Sequence, residues 1–293
     1  MHKKESKLLI VSFLLPGLIL YSTFVIYPIL SSFYTSLFNW SGIGEMDWVG
    51  FKNFINIFSD GNFINSLLNT GKYMLYQIPM ILVLAILFGM IVATSKETKF
   101  INSFRTLVFL PYVLPSVAIA MLWVTVFNPI SGFLNLSLDA IGLGFLTKDW
   151  LAHSGTAFGS IVWVKTWGSV GFYTVLILSG ILNIPKEVLE AAEIDGANRI
   201  QRSVYVILPM LKNVLQVVIV FVLINSLRIF EEPQLMTSGG PNRSTEPISL
   251  YIYEQAFANH NFGYASAMGV VFVLITLILT LLTLRVTRMD AND

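Results

Sequence analysis

Glu190-Ala-Ala-Glu-Ile-Asp-Gly-Ala-Asn-Arg-Ile-Gln-Arg-Ser-Val-Tyr-Val-Ile-Leu-Pro209 is a polar stretch set between two long apolar runs, and its reading decides what kind of chain this is. Just upstream, Ile184-Pro185 closes an apolar run. Proline cannot continue a helix but is pre-organised to begin one, so Pro185 to Glu193 reads as a fresh short helix. Glu187 lies in its first turn, where the helix dipole favours an acid. Val188, Ala191 and Ala192 are spaced to share a small-residue face that a partner surface can approach closely. Asp195-Gly196 breaks the helix, because glycine accepts the positive φ of a tight turn. Asn198-Arg-Ile-Gln-Arg202 then starts a second helix that runs toward Pro209. Such a segment could rest on lipid headgroups, but Glu187, Glu190, Glu193 and Asp195 would then face an anionic leaflet. Acids so placed are better matched by basic groups of another protein.

Away from that stretch the chain is overwhelmingly apolar. Of its 293 residues 55% are hydrophobic and 12% charged, with a mean hydropathy of +0.72. Soluble domains run at about 25% charged, so this balance belongs to a bilayer protein. A net charge of +1 gives no reason to expect nucleic acid as a partner. The absence of cysteine excludes a disulfide framework, a thiolate metal site and a cysteine nucleophile. His2, His153 and His260 lie far apart and read as loop residues rather than metal ligands. A spanning helix needs about 20 mostly apolar residues. Six segments qualify: Leu8–Leu30, Tyr73–Ser95, Leu107–Phe127, Phe158–Leu182, Val204–Leu227 and Gly263–Leu284. The expected fold is all-α, a polytopic membrane protein with six transmembrane helices in a single domain over residues 1–293.

Lys and Arg in short loops set the orientation. One side collects Lys3, Lys4, Lys7, Lys96, Lys99, Arg105, Lys186, Arg199, Arg202, Arg285 and Arg288, whereas the other holds Lys52, Lys148 and Arg243. Both termini and the 183–203 loop are therefore expected in the cytoplasm, with outer loops near 31–71, 128–156 and 228–262. Lys165, flanked by Trp163 and Trp167, is expected at the outer interface, and Lys212 is expected to snorkel inward. The first span follows a basic start, but its length and the lack of an A-x-A site read as a retained anchor. Pro111 and Pro115 are expected to kink the third span, Pro16 and Gly17 to soften the first, and Pro209 falls early in the fifth.

The polar stretch matches E-A-A-x(3)-G followed by I-x-L-P: Glu190, Ala191, Ala192 and Gly196, then Ile207, Leu208 and Pro209. It resembles the EAA loop of permease subunits in binding-protein-dependent ABC sugar importers of the maltose and glycerol-phosphate type. Trp48-Val-Gly-Phe-Lys-Asn-Phe and Phe63-Ile-Asn-Ser-Leu-Leu-Asn-Thr70 are similar to the family's region after the first span. Leu235-Met-Thr-Ser-Gly-Gly-Pro241, Ser244-Thr245 and Tyr251-Ile-Tyr-Glu-Gln-Ala-Phe257 are similar to its last outer loop. The resemblance implies the ABC type I importer permease fold. It also implies a second homologous permease, two cytoplasmic ATPases and an external solute-binding protein. The implied ATPase-docking residues are Glu190, Ala191, Ala192, Asp195, Gly196, Ala197 and Arg199. No G-x-x-x-x-G-K-[ST] loop occurs, so ATP and Mg are expected on the partner ATPase, and this chain carries no cofactor and no catalytic residue.

In the family the fourth and fifth helices line the path of the solute. Ser169 and Tyr173 on the fourth, with Asn225, Ser226 and Arg228 on the fifth, are the corresponding candidates here. Val222 and Ile229 stand where the maltose-type member is polar, which argues against maltose itself. The spans hold no strong cationic cluster, which favours a neutral oligosaccharide or glycoside over a phosphate ester. The alternative class is a secondary solute–ion symporter, which needs acids inside the spans for coupling, and none of the six contains one.

Overall fold

Lipid leaves backbone N–H and C=O groups only each other as partners, and apolar runs of this length therefore fold as helices. The computed structural model describes residues 2–95 and 98–289, so Met1, Lys96, Glu97 and residues 290–293 lie outside the described residues. Helix α1 (His2–Tyr21) passes unbroken through Pro16, and α2 (Tyr27–Thr35) continues it after a π-helical turn at Ser22–Ile26. There the Tyr27 N–H reaches back five residues to Ser22 O, just ahead of Pro28, whose ring nitrogen cannot donate. Two short strands, β1 (Phe38–Asn39) and β2 (Asp47–Trp48), pair antiparallel with Phe38 opposite Trp48. Helix α3 (Lys52–Ser59) follows.

Helix α4 (Gly61–Thr94) is 34 residues long and starts well before the expected Tyr73. The part of the expected 31–71 loop that precedes Tyr73 is thus helical because Asp60 Oδ1 accepts the amides of Asn62 and Phe63 and caps the helix. Its polar residues Asn65, Ser66, Asn69 and Thr70 read as loop, yet at this spacing they share one helix face.

The third apolar run is broken rather than kinked. Helices α5 (Lys99–Val113) and α6 (Ser116–Val126) meet at 106°. Leu114 precedes Pro115 and is driven to extended geometry, ψ 143°, which stops α5. Helix α7 (Phe133–Ala140) lies in the following connection, and α8 (Ser154–Leu182) is the fourth span. Helices α9 (Lys186–Ile194) and α10 (Arg199–Arg202) form the polar segment. A second π-helical turn at Ser203–Ile207 precedes Pro209 in α11 (Leu208–Met210), and α12 (Lys212–Leu227) departs at 71°. The chain ends through α13 (Glu231–Thr237), α14 (Ile248–Tyr253) and α15 (Phe262–Met289). Among the described residues, four helices are long and apolar enough to cross a membrane, or up to six if each bent pair is one span.

Contacts group the chain into two compact units, Met1–Ile64 with Tyr251–Leu277, and Asn65–Leu250 with Ile278–Asp293. In the first, Asp60 Oδ2 accepts hydrogen bonds from the Tyr251 and Tyr264 hydroxyls at 2.7 and 2.8 Å. Burial works against the Asp60 charge, but these bonds and the two backbone amides outweigh it and hold the carboxyl below its ordinary range. In the second, α8 is the centre: Ile161, Val164, Tyr173 and Ile177 are buried on different sides of it. A helix that is apolar all round belongs in a core.

Candidate functional site

The polar segment is built by rules that act within a few residues. Pro185 is the N-cap of α9 and Glu187 sits in its first turn. Leu189 packs against the core that contains Ile184, Ile207 and Leu211, which fixes the rotation of the short helix. At its end the Ala197 N–H bonds to Ala192 O and the Gly196 N–H to Glu193 O, a Schellman closure with Gly196 at φ +82°. Asn198 and Gln201 then form a reciprocal capping box at the start of α10. Arg202 reaches back to Glu193 at 3.2 Å. Glu190, Ala191, Asp195, Gly196 and Arg199 are exposed, and Ala192 and Ala197 half-buried. Ile194, Ile200 and Tyr205 project alongside them, each at least three-quarters exposed.

Farther along α8 a cavity of about 420 Å³ opens beside Tyr112, Ser116, Lys165, Ser169, Phe172, Tyr173, Phe221, Asn225, Arg228 and Glu232. The break at Leu114–Pro115 puts Tyr112 and Ser116 on its wall. Tyr112 stacks on Phe172 with centroids 5.0 Å apart and planes 20° from parallel. Asn225 Nδ2 donates to the Tyr173 hydroxyl at 3.0 Å, linking α12 to α8. Ser169 Oγ donates to Lys165 O, and the side chain of Arg228, the C-cap of α12, makes no hydrogen bond or ion pair among the described residues.

Four of the five path residues expected from the sequence meet here. Ser226 does not: it is fully buried, outside the cavity lining, and donates to Gln77 Oε1 of α4 at 2.7 Å. Lys165, expected at the outer interface, meets an acid of the expected 228–262 outer loop. Its Nζ lies 3.0 Å from Glu232 Oε1 of α13, in the cavity wall. Trp163 and Trp167, which flank Lys165 in sequence, meet Trp123 of α6 edge to face. Glu232 was missed because it falls outside every apolar run. The available signal was Lys165 itself, a charge inside a span that has no acid in its own helix to pair with.

A third arrangement joins two motifs that stand far apart in sequence. Asn65 and Asn69 donate to Arg243 O, Ser66 to Glu246 Oε2, and Tyr73 to Thr245 O. Arg243 Nη1 holds both Glu246 oxygens at 2.7 and 2.8 Å. The polar face of α4 therefore clamps the turn after Gly239-Gly240-Pro241.

Residues 85–289 match the family model described as the binding-protein-dependent transport system inner membrane component. The chain belongs to this family. The permease is 36% identical over 286 residues to the probable ABC transporter permease protein YurN of Bacillus subtilis, with 96% of each chain covered. It is 32% identical to the diacetylchitobiose uptake system permease protein NgcF of Streptomyces coelicolor, over 96% of this chain and 82% of the relative. Its fold matches a chain in a bacterial alginate ABC transporter solved with an alginate pentasaccharide-bound periplasmic protein, at TM-score 0.85 and 25% identity, covering 99% and 97% of the two chains. The all-α type I importer permease fold and the membrane setting expected from the sequence are thereby established, and the permease is no symporter by family.

Proposed function

We propose that this permease forms, with a second homologous permease, the path by which a carbohydrate enters a bacterial cell across the cytoplasmic membrane. An external solute-binding protein delivers the sugar, and two ATPase subunits that hold ATP and Mg drive the cycle from the cytoplasm. The cavity carries the reading: a stacked Tyr112–Phe172 wall faces hydrogen-bonding groups from Ser116, Ser169 and Asn225. Sugar sites combine a flat apolar surface for ring C–H groups with a few placed polar atoms. The names of the NgcF relative and of the alginate transporter concern oligosaccharides, which supports the same class here. Lys165 is neutralised by Glu232, so Arg228 is the one unpaired cation among the described lining residues, and a neutral glycoside fits better than a phosphate ester.

The docking element is the α9–turn–α10 segment, in the cytoplasm together with both chain termini. Its exposed Glu190 lies beside Ala191 and Ala192, where a partner surface can come close, and Ile194 and Ile200 add apolar area around it. ATP-driven closure of the ATPase pair would move this segment and, through Leu189 and the core beneath it, the ends of α8 and α12. Purification of the wild-type importer is expected to bring down the ATPase. Glu190→Lys should retain the partner permease, lose the ATPase and abolish uptake. Normal ATPase recovery with that variant would remove Glu190 from the docking surface.

A further inference from the structure

We infer that Lys165 and Glu232 act together as the element that recognises a vicinal diol of the transported sugar. The inference rests on the carbohydrate reading above and deepens it. Lys165 Nζ contacts Glu232 Oε1 at 3.0 Å and Oε2 at 3.3 Å. An ammonium has three hydrogens and a carboxylate about four acceptor positions, so at least one donor and two or more acceptors remain unspent. The Glu232 side chain is 4% exposed and that of Lys165 19%, so what remains accessible is presented to the cavity that both residues line.

Such a pair is a poor choice for holding helices together. Withdrawing two charges from water costs several kcal/mol per ion, and apolar residues of similar volume usually stabilise as well or better. Within a membrane protein, a charge pair kept beside a cavity is explained by what enters the cavity. A vicinal diol offers the complement, since one hydroxyl oxygen accepts from Lys165 while its neighbour donates to Glu232. The pair carries no net charge, so a neutral sugar binds without leaving a charge uncompensated. Ser169 lies one turn along α8 from Lys165, and the Tyr112–Phe172 stack provides the apolar wall. Recognition of hydroxyl groups is also where discrimination is strongest, because a sugar that lacks one leaves buried charged groups unpaired.

The test uses the whole importer, purified with its own binding protein and ATPase and placed in proteoliposomes. Uptake of diacetylchitobiose, lactose, maltose and cellobiose is measured. Failure of the wild type to take up any of them overturns the carbohydrate reading, and the diol assignment falls with it. With a transported disaccharide in hand, the double variant Lys165→Met/Glu232→Leu is expected to assemble and melt like the wild type. It should nevertheless lose kcat/KM for that sugar by about a hundredfold, mostly through KM. The wild type should handle the analogue lacking one hydroxyl of the terminal diol as poorly as the double variant handles the parent sugar. The double variant should lose little more with that analogue. An apolar pair that transports with KM within about twofold of the wild type would show that the ion pair only supports the fold. Equal further loss with the deoxy analogue in both proteins would assign the diol to other residues.

Discussion

The α9–turn–α10 segment and the cavity beside α8 belong to the same compact unit, but they are specified over very different distances in sequence. The capping box joins Asn198 to Gln201, three residues apart, and the ion pair joins Glu193 to Arg202, nine apart. Around the cavity, Lys165 finds Glu232 at 67 residues, Tyr173 finds Asn225 at 52, and Ser226 finds Gln77 at 149. Local rules for caps, turns and dipoles therefore decide the first region almost alone. The second exists only after α4, α5, α6, α8, α12 and α13 have packed. The contrast suits the two jobs: a docking segment must present a fixed shape to a partner, whereas a cavity must change when the helices around it move.

The largest expected effect tests the packed side of that contrast. At Gly171 of α8, a Cβ would lie 2.4 Å from Val108 O and 2.8 Å from Phe109 Cα, so α5 approaches backbone to backbone. Gly171→Leu should force the helices apart, at a cost of about 3 kcal/mol or more, and leave little assembled permease. Gly159 lies on the same helix with nothing within 4 Å of its Cβ position, and Gly159→Leu is the matched control that should fold. Yield and melting temperature of the detergent-solubilised complex are the readout. Equal behaviour of the two variants would mean that the α5–α8 approach is not needed for assembly.

A smaller effect is expected in the local region. Gly196 also has open space around it, so its requirement is purely conformational, φ +82°. Gly196→Val places a β-branched residue in left-handed geometry at a cost of about 1–2 kcal/mol, enough to misplace α10 but not to unfold the helices around α8. Uptake per ATP hydrolysed should fall while the melting temperature changes little. Gly196→Asn, which tolerates this geometry, should keep most of the coupling. If valine and asparagine couple equally well, the turn is not what positions the docking face.

The same division explains what could be read from the sequence. The span cores, the restart at Pro185, the positive-φ turn at Gly196 and the second helix at Arg199 all follow from composition, periodicity and turn chemistry. The start of α4 was misplaced because Asn65, Ser66, Asn69 and Thr70 count against an apolar span, although they form one helical face, the first three bonded to the 243–246 turn and Thr70 accepting from the Ile248 N–H. Pro111 and Pro115 announced a disturbance, but its size, 106°, depends on what the two halves pack against. The pairing of Lys165 was not legible because its partner, Glu232, lies in another element 67 residues on.

The smallest predicted effect separates wall from scaffold within the cavity region. Ser226 sits one residue from Asn225, and sequence register alone puts both on the solute path. Its hydroxyl instead donates to Gln77 Oε1 and to Val222 O, and the residue is fully buried. Interhelical hydrogen bonds of this kind contribute about 0.5–2 kcal/mol in membrane proteins. Ser226→Ala should therefore lower the melting temperature slightly and leave the KM for sugar where it was. Asn225→Ala should do the reverse, because its amide lies on the cavity wall and holds the Tyr173 hydroxyl in place. Measuring KM and melting temperature for both variants places each residue on one side of the line. A Ser226→Ala variant with a tenfold higher KM and unchanged melting would return this serine to the path and show that α12 turns during transport.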